Sequence, residues 1–208
     1  SRPRRSLLGG LLAYQRQAPA GTSDGLQGIW LPAKRGGVVV THESALQLSA
    51  CFACIRVISA DIAKLPWHVF AEQGGSKIKL ARSRIGYLLN TRPNPDTGAF
   101  AFRETLLAWA LAYGAGYAYI ERDPMRQPLA LWQTSPDRVS KKRDENGRLY
   151  FEISNGTKVP DIVEQADMFE VHGLGFDGLT GYSTLALAAQ SIGFGLAAEQ
   201  HGAAFYGN

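Results

Sequence analysis

Cysteine is scarce in this chain: Cys51 and Cys54 are the two among 208 residues. A disulfide-stapled scaffold is excluded, and the expected compartment is a reducing one. Histidine is thin as well. His42, His68, His172 and His201 fall at no metal-ligand spacing, so no metal site is expected. Long apolar runs are also missing. The best stretch, 184–198, is interrupted by Gln190 and Ser191, whereas about 20 predominantly apolar residues are needed to cross a bilayer. Leu7, Leu8, Leu11 and Leu12 lie near arginines but form too short and glycine-broken a run for a signal peptide. The expectation is a soluble intracellular protein without a membrane partner. Glycine is plentiful at 23 residues, yet it has no collagen period and no low-complexity tract, so bulk disorder is not expected.

A basic body is missing too, although the net charge is +4. Residues 1–35 hold six basic side chains against Asp24, which leaves 16 basic and 17 acidic groups for the other 173 residues. The surplus belongs to an N-terminal arm. A dedicated nucleic-acid reader usually carries a basic face on its folded part, and composition shows none here. Hydrophobic residues make up 45% of the chain, enough for a substantial core.

Residues 1–37 read as a flexible basic arm, with Val38–Val40 a short strand beside it. Thr41 is an N-cap candidate for a helix over 42–65, with Glu43 in the first turn. Leu48, Phe52, Ile55, Ile58 or Ser59, Ile62 and Leu65 recur at three- and four-residue steps and predict its buried face. Pro66 ends it. Trp67–Phe70 and Ile78–Leu80 read as strands around a Gly74-Gly75 turn, and 83–90 as a short helix. Arg92–Gly98 carries two prolines and stays irregular. A second long helix spans Ala99–Tyr113, with Phe102 and Trp109 expected in the core and Gly114 as its stop. Short strands follow at Tyr117–Arg122, Leu129–Gln133, Arg138–Arg143, Leu149–Ser154, Lys158–Val159 and Met168–His172. Asn146-Gly147 and Asn155-Gly156 are the best hairpin signals. A last helix, Ser183–Tyr206, would be about 36 Å long at 1.5 Å per residue. Its one formal charge is Glu199. A nearly uncharged helix needs a partner, and Gly193 and Ala197 are candidate points of close contact with a neighbouring subunit.

Motifs of chemistry are weak. Cys51 and Cys54 have the spacing of a redox or metal pair, but no second pair completes a zinc site and the motif lies inside a helix. Buried structural thiols are the expected reading. Gly173, Gly175 and Gly178 match a dinucleotide fingerprint between strand and helix, but no second parallel strand follows. No GxSxG elbow surrounds Ser183. Lys141, Lys142 and Arg143 read as a solvated strand end beside Asp144 and Glu145. No catalytic residues, cofactor or metal are assigned, and no enzymatic activity is expected. Taken by themselves, the residues give an α+β protein in which helices pack on short, mostly antiparallel strands. They do not name a function.

Three segments in order carry a resemblance: SACFACIRVISADIAKLPWHVF (49–70), LLNTRPNPDTGAFAFRETLLAWALAYGAGYAYIERD (88–123) and FEVHGLGFDGLTGYSTLALAAQSIGFGLAAEQHGAAFYGN (169–208). With the stretch between them they resemble the portal proteins of tailed double-stranded-DNA phages, over about residues 38–208. The resemblance implies a homo-oligomeric ring, usually a dodecamer, at a capsid vertex. Double-stranded DNA would pass through it during packaging and ejection. Terminase, the major capsid protein and head–tail connector proteins would be partners, and the virion and the host cytoplasm during assembly the locations. Residues 38–182 would form the wing and 183–208 the first stem helix. The family's clip, return stem helix, tunnel loop and crown have no counterpart here, which implies a fragment. Two rivals stand beside this reading: a nucleotide-binding enzyme built on the Gly173–Gly178 loop, and a DNA- or RNA-binding module that uses the arm and the 138–143 strand.

Overall fold

The computed structural model describes residues 33–35, 38–80, 82–154, 158–175 and 181–207. The expected arm, apart from Ala33–Arg35, and the Asn155-Gly156 turn lie outside them. Ala33–Arg35 (β1) and Val38–Val40 (β2) pair antiparallel. Thr41 then caps the first helix as expected. It forms a reciprocal capping box with Ser44, whose hydroxyl accepts from the Thr41 N–H at 2.7 Å.

The expected 42–65 helix is two helices: His42–Gln47 (α1) and Ser49–Lys64 (α2). Leu48, at φ −69° and ψ 113°, is extended and breaks the run. The face of α2 also differs from expectation. Ser59 and Ala63 are buried, while Phe52, Ile58, Ile62 and Leu65 are exposed. Helix α2 packs on Ala99–Tyr113 (α4) through its small residues, which let the two backbones approach, and the bulky row is left outside.

Phe70–Gln73 (β3) and Ser76–Lys79 (β4) form a hairpin whose Gly74 and Gly75 both have positive φ, +59° and +78°. That backbone twist suits a two-residue connection. Trp67–Val69 was expected as strand, but the Trp67 N–H and C=O bond to the Asn90 side-chain amide and the segment stays irregular. Ser83 caps Arg84–Asn90 (α3). The irregular 92–97 segment is held by buried Asn94, which donates to the Leu131 carbonyl and accepts from Asp96 and Thr97.

Helix α4 is the central pillar. It ends where Gly114 adopts φ +94°. Ala115–Arg122 (β5) lies between Pro128–Thr134 (β6) and Met168–His172 (β10) in an antiparallel sheet. Its alternation is filled on both faces. Ala118 and Ile120 join Phe102, Leu106, Leu88 and Leu131 on the helix side. Ala115 and Tyr117 join Phe151, Ile153, Val163 and Met168 on the other. Phe102 is fully buried as expected, whereas Trp109 is half-buried.

The second sheet consists of Val139–Arg143 (β7), Leu149–Ile153 (β8) and Ile162–Glu164 (β9), all antiparallel. Its third strand falls at 162–164, not at the expected Lys158–Val159. The β7–β8 turn at Asn146-Gly147 is as expected, with Asp144 Oδ1 accepting from the N–H groups of Asn146 and Arg148.

The last helix is broken as well, into Thr184–Leu187 (α5) and Ala189–Tyr206 (α6) around Ala188. Its near half is covered by this chain. Leu185, Ala189, Ile192 and Leu196 join Val40, Ala45 and Ala112 in a third cluster. Ser183 and Thr184 donate to the carbonyls of Ala112 and Leu111, which have no partner within α4 at its C-terminal end.

Candidate interaction surfaces

Among the described residues no group of three or more His, Cys, Asp or Glu side chains could hold a metal ion. The densest buried charge instead joins the two sheets. Lys141 on β7 pairs with Glu170 on β10, with side chains 6% and 12% exposed. Lys141 was expected in solvent. Its Nζ also lies 5.7 Å from the centre of the Tyr117 ring. Burial beside Glu170, together with a hydrogen bond to it, pushes the Tyr117 phenol well above its ordinary range. His172 Nε2 sits 3.5 Å from Glu170. The cluster holds the two sheets together.

Among the described residues Arg103 is the other buried cation. Its guanidinium donates to the carbonyls of Ala63 (2.9 Å) and Leu89 (3.0 Å) in the last turns of α2 and α3. A positive charge there meets the negative ends of two helix dipoles. Burial holds Arg103 below the usual arginine range. His42 stacks on Tyr113 with ring centres 3.9 Å apart, and burial lowers its pKa to about 4.

The glycine fingerprint has a packing explanation. Gly173 N–H donates to the Gly114 carbonyl at 2.8 Å. A Cβ on Gly114, Gly173 or Gly181 would overlap the backbone of the facing segment. Three strands of backbone therefore meet where only glycine fits. Gly178, the third residue of the fingerprint, lies outside the described residues. Of the two cysteines, Cys51 is half-buried against the third cluster and burial pushes its thiol up. Cys54 is exposed, contrary to expectation. Gly193, expected at a subunit contact, is buried by this chain itself, and Ala197 is half-buried. The outward side of α6 carries Phe194, 60% exposed, with Phe205 and Tyr206 beyond it.

Two surfaces remain. One is the outward row of α2, Phe52, Ile58, Ile62 and Leu65, each between 39% and 59% exposed. Four large apolar side chains at helical spacing form a patch of the kind that marks a macromolecular contact. The other is a cleft of about 1080 Å³ between the base of the β3–β4 hairpin, α3 and the 92–95 segment. His68, Lys79, Arg82, Arg84 and Arg92 line it, and among the described residues no acidic one does. Among the described residues none of its four Lys and Arg side chains pairs with a carboxylate. Arg84 Nε donates to the Pro128 carbonyl at 2.6 Å and Arg92 Nη2 to the Pro95 carbonyl at 2.9 Å. Composition concealed this site, because a body with balanced charge can still hold a concentrated patch. The readable signal was residues 67–95, with five Lys and Arg against Glu72 alone.

The described residues thus combine an α+β body, two exposed surfaces and a glycine-packed junction that leads into α5 and α6. The chain belongs to the phage portal protein family: the family model described as "Phage portal protein" matches residues 49–208. It is 28% identical over 175 residues to the "Portal protein" of Enterobacteria phage HK97, covering 83% of this chain and 41% of that protein. It is equally identical over 179 residues to the "Probable portal protein" of Streptomyces phage phiC31, covering 83% and 39%. The chain thus spans about two fifths of the length of these relatives. Among solved structures, a chain from "Virion of native gene transfer agent (GTA) particle" superposes with a TM-score of 0.62 at 18% identity. The match covers 88% of this chain and 48% of that one. A chain from "Neck of empty GTA particle computed with C6 symmetry" gives 0.61, also at 18% identity. The expected α+β fold and family are both borne out.

Proposed function

We propose that this chain is the wing and the start of the stem of a portal subunit that closes into a ring at a capsid vertex. Double-stranded DNA passes through the ring, and terminase, the capsid shell and head–tail connectors dock on it. Membership of the portal family supports the reading. The observation that carries it is the outward apolar row of α2, which one copy alone leaves in water. A heterologous contact between identical subunits closes into a ring when the rotation allows, and it would cover that row. Residues 38–182 form the wing in this reading. Residues 183–206 lead into the stem, with Phe194 rather than Gly193 turned toward the neighbour. Nothing observed favours the nucleotide-binding rival, since Gly173 is occupied by backbone packing.

The test is assembly of the full-length protein, followed by analytical ultracentrifugation and negative-stain imaging. Wild-type protein is expected as rings. Ile58→Asp combined with Ile62→Asp should leave the circular dichroism of the wing unchanged and abolish rings. Rings of normal size in that variant would remove α2 from the contact. A wild-type protein that stays monomeric at all concentrations would refute the ring.

A further inference from the structure

We infer that the cleft beside the β3–β4 hairpin is a docking site for an extended acidic segment of a partner polypeptide. The inference goes beyond ring formation and does not depend on it. Lys79, Arg82, Arg84 and Arg92 bring four formal positive charges to one concavity that, among the described residues, no carboxylate lines. The bonds that Arg84 and Arg92 make go to backbone carbonyls. These orient the guanidinium groups and leave their charges uncompensated. An Arg fork held in place is pre-organised for a carboxylate. Lys79 Nζ, 3.3 Å from His68 Nε2, is likewise held at the cleft wall without an anionic partner.

The shape selects the class of anion. Beside the cations the cleft has an apolar lining from Val69, Leu80, Pro93 and Leu129. Its volume matches the upper end of the roughly 300–1,000 Å³ typical of small-molecule sites. A segment of a few residues fills such a space, with acidic side chains on the cations and aliphatic ones on the apolar lining. Duplex DNA is a convex rod read through its grooves and phosphates, and it does not enter a cleft of this size. A single strand needs open aromatic faces for its bases. Trp67 is half-buried and tilts against Phe169, with ring centres 6.2 Å apart, which leaves Tyr87 and the small His68 imidazole, engaged by Lys79, as the exposed rings among the described lining residues. Charge and shape together favour polypeptide over nucleic acid.

The experiment uses full-length protein and a fluorescein-labelled eight-residue peptide of alternating glutamate and leucine, read by anisotropy at 0.15 M salt. A single-stranded oligothymidine and a short duplex are titrated in parallel. Lys79→Glu with Arg82→Glu is expected to weaken peptide binding at least tenfold. Arg56→Glu with Arg148→Glu makes the same change of net charge on exposed residues outside the cleft, and should change binding less than twofold. Arg84→Gln, with circular dichroism as the check on folding, should weaken it severalfold if the first pair perturbs the hairpin. Equal losses in the two charge-reversed pairs would mean diffuse electrostatics and overturn the proposal. So would absence of peptide binding by the wild type. Tighter binding of either nucleic acid, lost on cleft reversal, would overturn it in favour of a nucleic-acid site.

Discussion

Replacing Lys141 with methionine keeps most of the apolar stem and removes the ammonium. Glu170 is then left 12% exposed between two sheets without its cationic partner. Stranding one member of a buried ion pair costs about 3–5 kcal/mol, a large share of the roughly 5–15 kcal/mol that holds a typical domain together. The second substitution decides the reasoning. Lys141→Met with Glu170→Leu removes both charges, so the penalty of burying a lone carboxylate disappears. Exchange of a buried pair for apolar residues of similar size is commonly neutral or stabilising. The Tyr117 hydroxyl loses its acceptor in this variant, at a cost of about 1–3 kcal/mol if it finds no other. Tyr117→Phe added to the double variant should recover most of that. The assay is urea denaturation of five proteins, namely wild type, Lys141→Met, Glu170→Leu, the double variant and the triple variant with Tyr117→Phe, followed by circular dichroism and tryptophan fluorescence. Additive single effects, with a coupling below about 1 kcal/mol, would show that Lys141 and Glu170 do not act as a pair and would refute the account of how the sheets are joined.

Two further perturbations address the ends of the fold. His42 has a folded pKa of about 4 against 6.5 for the free side chain, and desolvation is the main cause. The neutral ring is favoured by folding, so its contribution is fully present above pH 6.5 and is lost as pH falls from 6.5 toward 4. Allowing for partial exposure, the loss should be on the order of 1–2 kcal/mol. Melting curves between pH 7.5 and 4.5 should show a shallower decline for His42→Phe than for wild type, and parallel declines would refute this. A thiol reagent under native conditions should label Cys54 quickly and Cys51 slowly, one fast equivalent per chain. Two fast equivalents, or none, would contradict the burial described.

Much of this architecture is legible in the residues. Thr41 announces a helix start, Gly114 a helix end, and Gly74-Gly75 and Asn146-Gly147 their hairpins. Each of these signals acts through local backbone geometry. What failed depends on what lies opposite. The 3.6-residue rhythm of Phe52, Ile58, Ile62 and Leu65 identifies an apolar row but not its direction, and the small Ser59 and Ala63 win the place against α4 by allowing close approach. Lys141 was taken for a solvated residue on the strength of its charged neighbours. Its two-residue phase with Val139, which packs on the core between the sheets, would have placed it inward. The cationic cleft was hidden by averaging over the whole body. Its charges are close in sequence, but only the folded hairpin and the 92–95 segment bring them around one space.

The meeting of Gly114, Gly173 and Gly181 has a mechanical consequence. These residues belong to the end of α4, the segment after β10 and the approach to α5. Their backbones touch with no side chain between them, and Ser183 and Thr184 fasten the next residues to α4. A junction of this kind behaves as a weld rather than a pivot. Load applied along the terminal helices passes directly into the central sheet and its pillar helix. Ala189, Ile192 and Leu196 carry the same fixation past the break at Ala188 and along the first turns of α6. Bending is displaced outward beyond Leu196, to the part of α6 that the body does not cover.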